Sequence, residues 1–249
     1  MRAKSTLPRL TLVSRETIEE QVYREIRDAL MRGRFVPGAT VTLRALADAF
    51  GTSPMPIRAA IRQLVAEQAL VARPNRTVIV PLITPERFDE IRHIRVALEG
   101  MLAAKAAERI DDSEIRRVAK IYDDINAAVA EDSIRGYLVG NQEFHFAIYR
   151  AANLPSALRM VENLWLQVGP LLNFLLRAGN EPSSAYFNHS GRAFQKYHRS
   201  TLEALRRRDA TAARQGIADD INVAADFLLK TAHFVRPLDP QGTTAAHIR

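Results

Sequence analysis

The chain has 249 residues, 47% of them hydrophobic and 25% charged, an ordinary globular composition that excludes an intrinsically disordered polymer. It contains no cysteine, which removes a disulfide framework and every thiolate-based zinc, iron–sulfur or nucleophile chemistry. Its formal charge of +7 is unevenly placed: residues 1–80 hold 13 Lys and Arg against 7 Asp and Glu, and residues 81–249 hold 22 against 21. All six histidines fall in the second part. The asymmetry fits a polyanion-binding unit joined to a nearly neutral one, although charge alone fits a basic surface with no partner equally well. The N-terminal stretch is basic but has no apolar run of signal-peptide length. The most apolar segment, Leu164–Leu176, is too short to span a bilayer and is interrupted by Gln167 and Asn173. These features point to a soluble cytoplasmic protein with no membrane segment.

In chain order, Thr17 and Glu20 have capping-box spacing, and Ile18, Val22, Ile26 and Leu30 form one apolar stripe, predicting a helix over about 14–32. Pro37-Gly38 makes a turn. A second helix begins near Thr42, burying Leu43, Leu46, Ala47 and Phe50, and stops at Gly51. Ser53 is a suitable N-cap and Pro54 a suitable first residue for a third helix, with Ile57, Ile61, Leu64 and Val65 facing inward. Leu70-Val71 and Val78-Ile79-Val80 flank Pro74-Asn75-Arg76 as a small β-hairpin. Beyond it the pattern is helical throughout, over about 85–109, 113–130, 133–152, 155–177, 184–208 and 210–233.

The fold class expected is therefore mainly α. It comprises an N-terminal winged helix-turn-helix over 1–80, a linker at 81–87, an all-helical bundle of about six helices over 88–234, and a mobile tail at 235–249. The short Gly51-Thr52-Ser53 link sets the third helix across the second, so that its start can enter a major groove. Arg58 and Arg62 lie one turn apart on the face opposite Ile57 and Ile61. An arginine fork matches the O6 and N7 atoms of guanine. The DNA-facing candidates are Arg44, Ser53, Met55, Arg58, Arg62 and Arg76. Ser53 and the N–H groups around it are candidates for a backbone phosphate, and Arg44 and Arg76 flank the duplex.

The run PGATVTLRALADAFGTSPMPIRAAIRQLVAEQALV resembles the DNA-binding domain of GntR-type bacterial transcription regulators, at Pro37, Gly38, Leu46, Ala47, Gly51, Ser53, Pro56, Arg58 and Leu64. The resemblance implies base contact by Arg58, phosphate or base contact by Arg44, and minor-groove approach by the wing at Arg76. Three positions depart from the family pattern. Pro54 stands where many members carry a second base-reading arginine, and Gln68 and Thr77 replace the glycines usual in the turn and wing.

In the helical part, Asn141 and His145 are one turn apart, His198 precedes Leu202 and Leu205 on its helix, and Asp220 lies on the next. Two imidazoles, a carboxylate and an amide oxygen suit a divalent ion such as zinc or nickel. Spacing alone leaves open that these are unconnected core or surface residues. The segments IRVALEGMLAAKAA, NQEFHFAIYRAAN and YHRSTLEALRRRDATAA resemble the FCD ligand-binding domain of the FadR-like branch. The resemblance implies a metal held by Asn141, His145 and His198, with Asp220 where the family usually has histidine. It also implies an effector, a small carboxylate, for which Arg95 of the Arg95-x3-Glu99 pattern is the anion-binding candidate; an intrahelical Arg–Glu pair is the alternative. His189 is an outside candidate, and His93, His233 and His247 are read as structural or tail residues. Trp165, Leu171, Phe174 and Leu175 are read as core first and cavity lining second.

Together these readings describe a non-enzymatic repressor that binds a palindromic double-stranded operator as a homodimer and is released by an effector. The alternative from another class is a metal-dependent hydrolase with a basic N-terminal extension, with Glu143 as base. On a helix, however, Glu143 projects away from Asn141 and His145, and no His-Glu-x-x-His, nucleophile-elbow or phosphate-loop motif is present.

Overall fold

The computed structural model describes residues 17–74, 77–174, 192–231 and 234, the side chains of 192–194 and 231 excepted. Helix α1 (Ile18–Met31) starts at the expected capping box: the Thr17 hydroxyl accepts from the Glu20 amide at 3.1 Å, and the Thr17 amide donates to Glu20 at 2.8 Å. Its Val22, Ile26, Ala29 and Leu30 face inward. Strand β1 (Thr40–Thr42) leads into α2 (Leu43–Phe50), where the Thr42 hydroxyl accepts from the Ala45 amide. Gly51 ends α2 at φ 61°, a left-handed conformation that glycine adopts without cost, and the chain turns directly into α3 (Pro54–Ala66).

The wing is a three-stranded antiparallel sheet of order β1-β3-β2, with β2 at Val71–Arg73 and β3 at Thr77–Ile79. Two strands were expected, one residue nearer Leu70 and Val80. Thr40–Thr42 is too short to show a period, and only pairing with β3 makes it a strand. Gln68, where the family has glycine, takes the left-handed conformation itself, at φ 60°. Phe50, expected in the core, is 37% exposed.

The larger unit consists of α4 (Pro85–Arg109), α5 (Asp112–Ala130), α6 (Ile134–Ala151), α7 (Pro155–Val168), α8 (Arg192–Arg206) and α9 (Ala210–Thr231). The C-terminal half of α4 is buried through Leu102 and through the small Ala103, Ala106 and Ala107, which let α6, α7 and α9 pack around it. The helix expected over 155–177 stops at Val168 and tightens into a 3-10 turn, Gly169–Leu172. Pro170 has no N–H to continue the α ladder. The parts of the expected helices at 175–177 and 184–191, together with Leu175, Arg76, His189, His233, His247 and the tail, lie outside the described residues.

The two units share one apolar cluster, which runs from Leu30 and Ile57 to Leu102, Phe144 and Trp165. Their joint is close. A Cβ on Gly169 would stand 2.5 Å from the Leu30 carbonyl oxygen, and one on Gly33 would stand 2.7 Å from the backbone of Leu172 and Asn173. The Asn173 side chain donates to the Gly33 carbonyl at 2.8 Å, Arg32 donates to Gln142 at 2.8 Å, and Arg27 pairs with Glu162 at 3.0 Å. The end of α1 is thus fitted backbone to backbone against the 3-10 turn. No described helix is long and apolar enough to cross a membrane.

Candidate functional site

Three elements converge on one buried cluster. Helix α6 supplies His145, α8 supplies His198 and α9 supplies Asp220, and one ligand atom from each lies within 4.8 Å of the others. His145 Nε2 is 3.1 Å from Asp220 Oδ2. His198 Nε2 is 3.4 Å from Asp220 Oδ1 but off the hydrogen-bond direction, so both His198 ring nitrogens are buried without a hydrogen bond. Burial drives the His198 pKa down to about 4, which keeps the ring neutral and its lone pair available. In Asp220 burial works to raise the carboxyl, but His198 and the His145 hydrogen bond outweigh it and hold the group below the usual carboxylate range. A neutral imidazole with orphaned nitrogens beside an ionised carboxylate is a donor set that fits a divalent cation.

The site opens into a cavity of about 70 Å³ lined by Asn141, His145 and Asp220 on one side and by Phe88, Ile221, Ala224 and Leu228 on another. Arg92, Arg95 and Trp165 also face it, and Val168, Gly169 and Leu172 form a wall. That wall is the 3-10 turn against which α1 is fitted. Three of the four sequence-derived metal candidates, His145, His198 and Asp220, cluster together, and Asn141 and Arg95 line the cavity that His145 and Asp220 border.

Arg95 is also paired within its helix: its Nε donates to Glu99 at 2.6 Å and its guanidinium lies 4.7 Å from the Trp165 ring centre. Burial opposes the Arg95 charge, but Glu99 outweighs it and raises the group above its ordinary value. The intrahelical Arg–Glu pair expected as the alternative is thus present, on a side chain that also lines the cavity. Arg92, not singled out from sequence, is held by Asp89 at 2.7 Å and Asp226 at 3.5 Å.

Sequence reasoning also missed the layer behind His145. Glu99 is fully buried and accepts from Arg95, from the Tyr149 hydroxyl at 2.5 Å and from the Trp165 indole at 3.2 Å. Burial and then Glu99 raise the Tyr149 pKa well above its ordinary value, so the phenol keeps its proton and donates a hydrogen bond to Glu99. Its oxygen then accepts from His145 Nδ1 at 2.9 Å, which leaves Nε2 to face Asp220. The signal was legible: Tyr149 follows His145 by four residues, so both project from one face of α6. Glu143 is 54% exposed and stands 3.9 Å from Arg32, pointing away from the cluster, which removes the base that the hydrolase alternative needs. His93 is on the surface, with Nδ1 2.8 Å from the Asp89 carbonyl.

At the other end of the molecule, Met55, Arg58 and Arg62 form an exposed stripe on α3, and Arg44 is exposed on α2. No ion pair engages Arg44, Arg58 or Arg62 among the described residues. Ser53 occupies the N-cap of α3 but its side chain makes no capping bond, because the third helical residue is Pro56 and has no N–H. Pro54 removes another donor. Of the four N–H groups that a helix start ordinarily leaves free, only those of Ser53 and Met55 exist here, a thinner phosphate cradle than the sequence suggests.

Comparison with known proteins places both ends in one context. Residues 18–80 match the bacterial regulatory proteins of the gntR family, and residues 90–222 match the FCD domain. The chain is 30% identical over 199 residues to the HTH-type transcriptional regulator McbR of Escherichia coli K12, covering 80% of this chain and 87% of that protein. It is 27% identical over 229 residues to a probable D-xylose utilization operon transcriptional repressor of Paenarthrobacter nicotinovorans, covering 92% and 94%. The solved structure of E. coli McbR/YncC superposes with a TM-score of 0.81 at 26% identity, over 87% of this chain and 99% of that one.

Proposed function

The chain belongs to the GntR family of bacterial transcription regulators, in the FadR-like branch that carries an FCD domain, and from that premise we propose that it is a metal-dependent, ligand-controlled repressor. It binds a palindromic operator as a homodimer in the cytoplasm, and a small organic acid in the helical unit weakens that binding. His145, His198 and Asp220, with Asn141 on the adjoining cavity, would hold the divalent ion, zinc or nickel. When bound, the ion would supply a Lewis-acid centre for a carboxylate oxygen.

The chain's own residues do the rest. Glu99 and Tyr149 orient His145. Arg95, at the cavity edge, meets the acid's remaining charge with the donors that Glu99 does not occupy. Phe88, Ile221 and Leu228 shield the pair from water. The observation that carries the reading is the shared wall: Gly169–Leu172 borders the cavity on one side and is fitted to α1 of the winged unit on the other. A ligand that displaces this turn displaces α1, and with it the recognition helix packed on α1.

The test is binding of the full chain to duplex DNA from its own upstream region, against random duplex. Wild-type affinity should fall steeply with salt through counterion release, and Arg58→Ala should lose the preference for its own site, a cost on the order of 1–3 kcal/mol. Equal wild-type affinity for both duplexes sinks the reading.

A further inference from the structure

Met55 is 78% exposed, the most exposed large hydrophobic among the described residues, and it stands at the tip of α3. Among the described residues nothing covers it, and its neighbours on the exposed stripe are arginines without acidic partners. Two further features define this tip. Pro54 and Pro56 flank Met55, fixing the backbone on both sides, so the methionine is presented from a stiff first turn. The same two prolines delete two of the N–H donors with which a helix start would hold phosphate. The tip is therefore apolar and rigid where the stripe behind it is cationic.

We infer that Met55 reads a thymine through its C5-methyl group in the major groove, beside the base contacted by Arg58. This rests on the operator-binding reading above and deepens it. Met55 and Arg58 are one turn apart on one face, about 4.5 Å along the helix axis. That is near the ~3.4 Å separating successive base pairs. The thymine methyl is the one apolar group that a base edge offers in the major groove, and aliphatic side chains recognise it. Methionine's unbranched thioether adapts to that contact and gains by leaving water. Ala59, next on the same face and half-buried, is small enough to let the base edges approach. The arginines supply the charge complementarity that commits this surface to a polyanion rather than to another apolar protein face.

The experiment selects binding sites for the full-length protein from a duplex library with a randomised core, then replaces each selected thymine by uracil, which deletes only the methyl. One thymine adjacent to an Arg58-dependent guanine should lose about fourfold in wild-type affinity on replacement, the value of one buried methyl. Met55→Ala should bind both duplexes equally, whereas Met55→Leu should keep the discrimination. Any effect of the missing methyl on DNA stiffness appears in both proteins and cancels in the comparison. Because Met55 is exposed, Met55→Ala leaves the core intact. A selected site in which no thymine-to-uracil change separates wild type from Met55→Ala overturns the inference and leaves the operator reading standing. Failure to enrich any sequence overturns the operator reading, and the inference falls with it.

Discussion

The direction of one proton organises the buried site. Tyr149 donates a hydrogen bond to Glu99, so its oxygen accepts from His145 Nδ1, and the ring is turned with Nε2 towards Asp220. Tyr149→Phe removes that constraint at little cost in volume. It should weaken zinc binding about 10- to 100-fold in a chelator-competition titration while the circular dichroism spectrum is unchanged. Wild-type zinc affinity in Tyr149→Phe would show that the hydroxyl has no part in orienting the ligand. His198 makes a second prediction. Its folded-state pKa, about 4, lies below the unfolded value of 6.5, so the unfolded chain takes up the proton first as pH falls. The metal-free protein should therefore lose stability, on the order of 1–2 kcal/mol from this group, as pH falls from 6.5 to 5 in urea unfolding. A flat profile over that window contradicts the burial of a neutral ring. At this scale the resemblance drawn from sequence named the three residues of the buried cluster and Asn141 on the adjoining cavity, but spacing could not bring them together. Asn141 and His145 share a helix, whereas His198 and Asp220 reach the same point only through the packing of α8 and α9. Glu99 was seen as one half of an Arg–Glu pair, because nothing local shows that Tyr149 and Trp165 also turn towards it.

Helix starts in this chain look alike in sequence and differ in bonding. Thr17, Thr42 and Thr84 each accept a capping hydrogen bond, and Ser53 does not, for want of an N–H at Pro56. Thr42→Ala should cost about 1 kcal/mol of stability, and Ser53→Ala less than about 0.5, when both are measured by denaturant unfolding. Equal losses would mean that Ser53 does cap α3. Most helix boundaries were legible because their signals are local: Gly51, Thr84-Pro85, Asn153 and the capping residues mark them within one turn. The three-stranded wing was not, since β1 depends on a partner in β3 far along the chain. Nor was the end of α7, where Gly169-Pro170 sits inside a mostly apolar run whose hydrophobic pattern continues on both sides of it. That misjudged turn is the element that joins the two halves.

In the whole molecule, the basic winged unit and the unit holding the buried cluster are joined by close backbone approaches at Gly33 and Gly169 and by the contacts around them. Gly169→Ala would push a methyl into the Leu30 carbonyl, and the overpacking should cost about 1–3 kcal/mol in urea unfolding. If the joint transmits the signal, a variant that relieves contact without collision, Asn173→Ala, should keep zinc binding and DNA binding but lose the dependence of one on the other. Unchanged coupling in Asn173→Ala would place the transmission elsewhere. The charge division seen at the outset has its counterpart here: the excess lies in the unit carrying α2 and α3, and the nearly neutral unit holds its charges in pairs such as Arg95–Glu99 and Arg92–Asp89. Whether the neutral unit holds a metal is tested by elemental analysis of the full chain purified without added metal or chelator. About one zinc or nickel per chain is expected, lost in His145→Ala and in Asp220→Ala. A metal-free protein that takes up neither ion on titration would contradict that expectation.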